Sequence, residues 1–166
     1  MFWVVFAENG VRMVQIAMTN VETKAYGFVD VPESRILTFV KPILGFEDLE
    51  KFAIIDVRGL PGFYWLQSLE NKNLAIIVSR PDKLLDQEYV IQIDNQESIF
   101  REMKLISREN LTCYLMVNVP QDPKQMTLNL MGPILVNSAT LLAAQAISTK
   151  YTETKFPVFG IHNDEK

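Results

Sequence analysis

Apolar residues in this chain come in short runs, cut apart by clusters of Pro, Gly, Asn and Asp. The runs at Tyr26–Val31, Ile36–Val40, Phe52–Val57, Phe63–Ser68, Leu74–Ser79, Glu88–Ile93, Cys113–Val119 and Leu128–Asn137 are rich in Val, Ile, Leu and aromatics. Each has strand length, and a spacing of roughly ten residues suits a sandwich or a small barrel. Helical signals are few. Phe46–Lys51 carries Glu47, Asp48 and Glu50, which favour a helix N-terminus. Gln96–Lys104 places Ile99, Phe100 and Met103 on one face, with Asp94 or Asn95 as cap. The pattern therefore predicts an all-β, single-domain, barrel-like or two-sheet fold with one or two short helices.

The turns carry their own signals. Leu60-Pro61-Gly62-Phe63 has Pro and Gly at the central positions of a type II turn. Near the N-terminus, Asn9-Gly10 between two apolar runs signals a type I′ hairpin. The same residues 1–17 also admit a second reading, a leader upstream of a start at Met18. The charged stretch 152–166 reads as a fraying tail.

One stretch, Met126 to Asn137, mixes signals. Counted in twos, Leu128, Leu130, Ile134 and Val136 share one face, and Asn129, Met131, Leu135 and Asn137 share the other. Pro133 cannot donate to a sheet, so it predicts an edge or a bend. Two carboxamides on an otherwise apolar strand need partners, since an unpaired buried amide costs about 1–3 kcal/mol. They either tie down neighbouring loops or present a surface to a partner.

Composition narrows the function. The chain has 166 residues, 48% hydrophobic and 22% charged, which is ordinary for one globular domain. Its net charge is −4, with 16 basic residues scattered among 20 acidic ones. No basic stripe is present, so direct nucleic-acid binding is not expected. The opening Phe-Trp-Val-Val-Phe-Ala has no basic flank and stops at Glu8, too short for a signal peptide. No run approaches the ~18 apolar residues that span a bilayer. A lone Cys113 excludes an internal disulfide and reads as a small core hydrophobe in a cytoplasmic protein.

Catalytic and metal signals are missing. His162 is the single histidine and lies in the tail, and one Cys with one distant His cannot make the usual zinc sets. Neither a phosphate-binding glycine loop nor a dinucleotide fingerprint occurs. No catalytic, cofactor or metal residues are assigned.

Three blocks together carry a resemblance. Phe39-x-x-x-x-Leu44-Gly45-Phe46-Glu47-x-Leu49-x-x-Phe52 comes first, after an opening Thr23-Lys24-x-Tyr26-Gly27. Phe63-Tyr64-Trp65-Leu66-Gln67-Ser68 with Asn73-Leu74-Ala75 follows. Met126-Thr127-x-Asn129-Leu130-x-x-Pro133-Ile134-x-x-Asn137 completes the order. This pattern, over about residues 18 to 147, resembles the FliW flagellar assembly factors.

The resemblance implies a non-enzymatic, cytoplasmic partner switch, monomeric alone, that binds flagellin and antagonises the RNA-binding translational repressor CsrA. It implies a β domain over 18–151. It also implies a strand in 138–149, where Ser138 and the alanines by themselves favour a helix. Relatives often carry basic residues just after the equivalent of Asn137, whereas Leu141-Leu142-Ala143-Ala144 stands here. Candidate partner-binding residues are Thr127, Asn129, Met131, Pro133, Asn137 and Gln67. Trp65, Gly45, Phe46 and Cys113 are assigned to the scaffold, though Trp65 shares a strand face with Phe63 and Gln67 and could instead meet a partner. The competing class is a small β-barrel enzyme or ligand binder, which a deep apolar pocket with converging polar groups would favour.

Overall fold

In a computed structural model, the backbone is described for residues 2–7, 10–81 and 97–159, and side chains from residue 16 onward within these. The expected strand Glu88–Ile93 and the expected caps Asp94 and Asn95 lie outside the described residues.

The described residues form thirteen strands: β1 (Phe2–Ala7), β2 (Gly10–Gln15), β3 (Met18–Thr23), β4 (Gly27–Pro32), β5 (Ile36–Lys41), β6 (Lys51–Asp56), β7 (Phe63–Ser68), β8 (Ala75–Ser79), β9 (Leu111–Asn118), β10 (Thr127–Leu128), β11 (Ile134–Asn137), β12 (Leu142–Gln145) and β13 (Phe156–Pro157). One helix, α1 (Glu97–Glu102), lies among the described residues. β1 pairs antiparallel with β2, from Phe2 opposite Gln15 to Ala7 opposite Gly10, while the turn residues Glu8 and Asn9 lie outside the description.

The main sheet closes on itself. Its order runs β11-β12-β5-β6-β7-β8-β9, and β11 pairs with β9 as well as with β12, giving a seven-stranded barrel. β12 runs parallel to β5, and the other barrel pairs are antiparallel. Closure removes the sheet edges that would otherwise template aggregation. It also corrects the expectation of an edge strand at Ile134–Asn137, because this segment has a neighbour on both sides.

Pro133 marks a bend instead. β10 and β11 both pair with β9, Leu128 opposite Val117 and Ile134 opposite Tyr114. Residues 129–133 therefore loop out against only two residues of β9. The main-chain oxygen of Pro133 accepts from the Ala146 N–H at 2.9 Å, so the bend stays hydrogen-bonded to β12's continuation.

Period-two alternation sorts the barrel strands into an inner and an outer face. Leu37, Phe39, Phe52, Ile54, Leu66, Val78, Ile134, Val136 and Ala143 fill the interior. The outer residues are covered piece by piece. The β3–β4 hairpin lies on Ala53, Ile55 and Trp65. Helix α1 and Met103 cover Leu135 and Ala144. The segment ending at Val158 covers Leu115 and Leu128. Residues 153–158 thus join the fold rather than fray: Leu130 N–H donates to Glu153 O and Val158 N–H to Met126 O, each at 2.9 Å.

One local reading changes. Phe46–Lys51 forms two successive turns, not a helix: Phe46 N–H donates to Ile43 O (2.9 Å), Leu49 N–H donates to Phe46 O (3.1 Å), and Lys51 already begins β6. Gly45 takes φ 87°, which its missing Cβ permits, and its N–H donates to Glu47 Oε1 at 2.8 Å. That bond holds the exposed Glu47 carboxyl below the usual carboxylate range. Ile43, Phe46 and Leu49 pack onto the core and close one end of the barrel. Chain reversal and apolar plugging outweigh the acidic helix-start signal here.

Leu142–Gln145 is a strand, as the resemblance implied, although the residues alone favoured a helix. The preceding turn puts Leu141 at φ 60°, a conformation usually left to Gly or Asn. Its N–H donates to Asn137 O (2.8 Å), its carbonyl accepts from Thr38 N–H (3.0 Å), and its side chain packs on the core. The Leu60–Phe63 turn forms with Gly62 at φ 86° and Phe63 N–H donating to Leu60 O at 3.2 Å.

Candidate interaction site

At the end of the barrel closed by residues 43–49, an apolar groove of about 710 Å³ is open to solvent. Three large hydrophobic side chains stand exposed along it: Leu44 (81%), Ile147 (63%) and Met131 (38%). Each comes from a different connection, before β6, within the 129–133 bend and after β12. Ile99 of α1 and Ala146 complete the apolar wall. The Lys41–Glu102 ion pair (3.2 Å) and Glu47 lie around it.

Carboxamides set the geometry. Gln145 Oε1 accepts from Leu44 N–H at 2.7 Å, and its Nε2 donates to Gly132 O at 3.4 Å. One side chain therefore clasps two of the groove's loops. Asn129 Oδ1 accepts from the N–H groups of Met131 (3.1 Å) and Gly132 (3.2 Å), folding the bend so that Met131 faces out. A Cβ on Gly132 would stand 2.8 Å from Gln145 Nε2, so the Gln145 amide would have to shift to admit one.

Only part of the sequence-derived set meets here. Asn129 and Met131 line the groove; Thr127, Pro133, Asn137 and Gln67 do not. Pro133 is buried under the bend. Thr127 Oγ1 is buried with no hydrogen-bond partner among the described residues. Asn137 is buried at the far end of β11, donating to Met103 O (3.0 Å) and Lys104 O (3.2 Å) and accepting from Ala139 N–H (3.0 Å).

Gln67 sits beneath the β3–β4 turn. It accepts from Lys24 N–H at 3.0 Å, and its Nε2 donates to Leu74 O (2.9 Å) and Ser68 O (3.0 Å). Both residues are fully engaged inside the fold. They were placed on a surface because alternation assigns a face of the strand but not what covers that face.

The scaffold residues also find their places. Trp65 is half-buried under the hairpin and donates from Nε1 to the Tyr26 hydroxyl at 3.2 Å. Cys113 is half-buried between two outer clusters. Sequence reasoning missed Leu44, Gln145 and Ile147. The available signal was a large apolar residue where a turn normally has a polar one, at Leu44-Gly45. Among the described residues no cluster of three His, Cys, Asp or Glu side chains could hold a metal, and no helix is long and apolar enough to cross a membrane.

A closed seven-stranded barrel with a covering hairpin, a short helix and an apolar groove between connecting loops defines the class. The architecture matches the crystal structure of the flagellar assembly factor FliW with a TM-score of 0.75, covering 87% of this chain and 99% of that one at 23% identity. Residues 20–158 match the FliW protein family. The flagellar assembly factor FliW of Leptospira interrogans serovar copenhageni is 40% identical over 129 residues, 78% of this chain and 85% of that protein. Its counterpart in Treponema denticola is 33% identical over 128 residues, 77% and 84% of the two chains. The chain belongs to the FliW family of flagellar assembly factors.

Proposed function

We propose that this protein works without catalysis, as a cytoplasmic partner switch that binds flagellin and antagonises the translational repressor CsrA. The observation that carries the reading is the groove, with Leu44, Met131 and Ile147 exposed around it. Apolar patches of this kind on a small soluble domain mark protein-binding sites, and membership of an assembly-factor family supports a protein partner.

Switching needs differential binding. The protein must favour the RNA-free repressor by about 1–3 kcal/mol, and RNA must weaken the protein's hold on the repressor by the same factor. A net charge of −4 favours encounter with a basic partner and disfavours RNA itself.

Co-purification with flagellin and CsrA, offered separately and then together, tests the reading. Each should be retained alone, and flagellin should displace CsrA. Gel shifts with flagellin leader RNA should stay blank without the repressor at about 150 mM salt. Retention of neither protein, or a tight RNA shift by this chain alone, would overturn the proposal.

A further inference from the structure

We propose that Asn129 and Gln145 are the polar anchor of the groove, two carboxamide donors that grip a main-chain carbonyl in an extended apolar segment of the partner. The inference rests on the reading of the groove as a protein-binding surface. It adds the chemistry that the groove selects and the side chains that select it.

Backbone donors fix how each carboxamide is turned. Asn129 Oδ1 accepts from the N–H groups of Met131 and Gly132, and Gln145 Oε1 accepts from that of Leu44. An N–H can meet only the oxygen of an amide side chain, so neither group can flip and each nitrogen is left for other work. The two nitrogens converge over Gly132. A Cβ on this residue would stand 2.8 Å from Gln145 Nε2 and 3.3 Å from Asn129 Nδ2. Glycine leaves that space empty, a seat bordered by both nitrogens.

Much of their donating capacity is unspent. Each side-chain amide carries two N–H donors. Gln145 Nε2 uses one of them on Gly132 O, at a long 3.4 Å. Asn129 Nδ2 donates to no group among the described residues, and it is not sealed beneath the surface. Solvent serves such donors while the groove is open. A partner that covers Leu44 and Met131 excludes this solvent, and a buried donor without an acceptor is costly. An occupant that fits must therefore bring an acceptor among its apolar side chains.

The surroundings choose the acceptor. Lys41 is balanced by Glu102 at 3.2 Å, and Glu47 adds a further negative charge to the lining. A carboxylate is thus disfavoured, and a neutral oxygen fits. Within a helix the carbonyls are spent on the helix's own hydrogen bonds. An extended chain holds them free and sends successive side chains to opposite sides. Leu44 and Met131, on the two loops that Gln145 joins, then receive the apolar side chains beside the gripped carbonyl.

The test needs neither flagellin nor CsrA, so a wrong partner identity leaves it intact. The full chain, ¹⁵N-labelled, is titrated with the blocked peptide acetyl-Gly-Leu-Ala-Leu-Gly-amide. The side-chain NH₂ signals of Asn129 and Gln145 should shift saturably, together with the backbone amides of Leu44 and Met131. The same peptide with Ser for Leu, and the Leu peptide with a free C-terminal carboxylate, should each bind several-fold more weakly. Asn129→Asp and Gln145→Glu keep the oxygens that hold the loops but replace the donating nitrogens. Both should melt with the parent while weakening the Leu peptide about tenfold. Thr154→Asp, which puts a carboxylate elsewhere in the groove lining, should stay within about twofold. A purely structural role for the two amides predicts full affinity in both isosteric variants, and that result would overturn the proposal. So would side-chain NH₂ signals unmoved in the parent, a measurement that needs no variant to fold. Equal affinity of the Ser peptide, tighter binding of the free acid, or an equal loss in Thr154→Asp would count against it just as firmly.

Discussion

The side-chain amide of Asn137 donates to the main-chain carbonyls of Met103 (3.0 Å) and Lys104 (3.2 Å), thirty-odd residues earlier in the chain. It thereby ties β11 to the end of α1, where Met103 is fully buried. Lys104 follows at φ 54°, reversing the chain away from the helix. Asn137→Ala strips the Lys104 carbonyl and the Ala139 N–H of their partner, while Met103 O keeps the Thr140 hydroxyl at 3.1 Å; each such orphan costs about 1–3 kcal/mol. We expect a loss of about 2–3 kcal/mol, a fall in melting temperature of several degrees, and faster amide exchange around Leu105. Asn129→Ala, in an open bend, should cost less than about 1 kcal/mol. Equal melting temperatures for the two variants would refute the distinction.

The same pair shows how far sequence could reach. Alternation placed Asn129 and Asn137 on one face, and on a continuous strand that would have been right. The five-residue bend broke the register between them, so one asparagine shapes a groove and the other fastens a helix. Barrel closure was likewise out of reach, since it depends on β11 meeting β9 across the sheet. The strand positions were legible because each inner face is apolar at period two, as in Phe52 and Ile54 against Leu66 and Val78. Residues such as Gln67 defeated the reading for the opposite reason: a buried carboxamide with all its hydrogen bonds made looks, in sequence, like an exposed one.

Trp65 tests whether the hairpin is part of the domain's stability. It is half-buried against Val21, Val31, Ala53 and Ile55, with its indole N–H on Tyr26. Full burial would make truncation cost about 3–5 kcal/mol. With part of the ring in solvent, Trp65→Ala should cost about 2–3 kcal/mol, and Trp65→Phe, which loses mainly the Tyr26 bond, about 1. Thermal or urea melts would measure both. A melt unchanged by Trp65→Ala, coupled with lost partner binding, would move Trp65 to an interface.

Tyr114 gives stability a dependence on alkaline pH. Burial raises its phenol above the ordinary value of 10.0, Tyr64 adds to the rise, and Arg80 and Arg35 oppose it. The folded state then holds this proton more tightly than the unfolded chain. Its contribution is complete below the unfolded pKa, about 10, and is lost as pH rises through the higher folded value. Melting temperature should fall more steeply above pH ~10 for the parent than for Tyr114→Phe. A constant gap between the two curves from pH ~8 to ~11.5 would show that Tyr114 contributes nothing.

Gly132 controls the groove's shape. An added Cβ would stand 2.8 Å from Gln145 Nε2, the mobile end of a side chain, so the backbone need not move. Gln145 would give way instead and loosen its 2.7 Å bond from Leu44 N–H. Gly132→Ala should therefore cost little stability, about 1 kcal/mol or less, while the Leu44 amide loses protection from exchange. An unprotected Leu44 amide already in the parent would show that the clasp is not formed in solution.

Leu44 and Ile147 decide whether the groove meets a partner. Both side chains are largely exposed, 81% and 63%, and Ile147 sits past the end of β12. Leu44→Ser and Ile147→Ser should thus change stability by no more than about 0.5 kcal/mol. If the groove is a protein-binding surface, apolar anchors of this kind carry a large share of the affinity. Losing one costs about 1–2 kcal/mol or more, which is tenfold or greater in Kd. The double variant should retain flagellin or CsrA far more weakly while melting with the parent. Phe28→Ser is the control, because Phe28 is 70% exposed on β4 and lies outside the groove's lining. Binding of both partners undiminished in the double variant would clear the groove of any role, and a loss in Phe28→Ser alone would shift the interface to the hairpin.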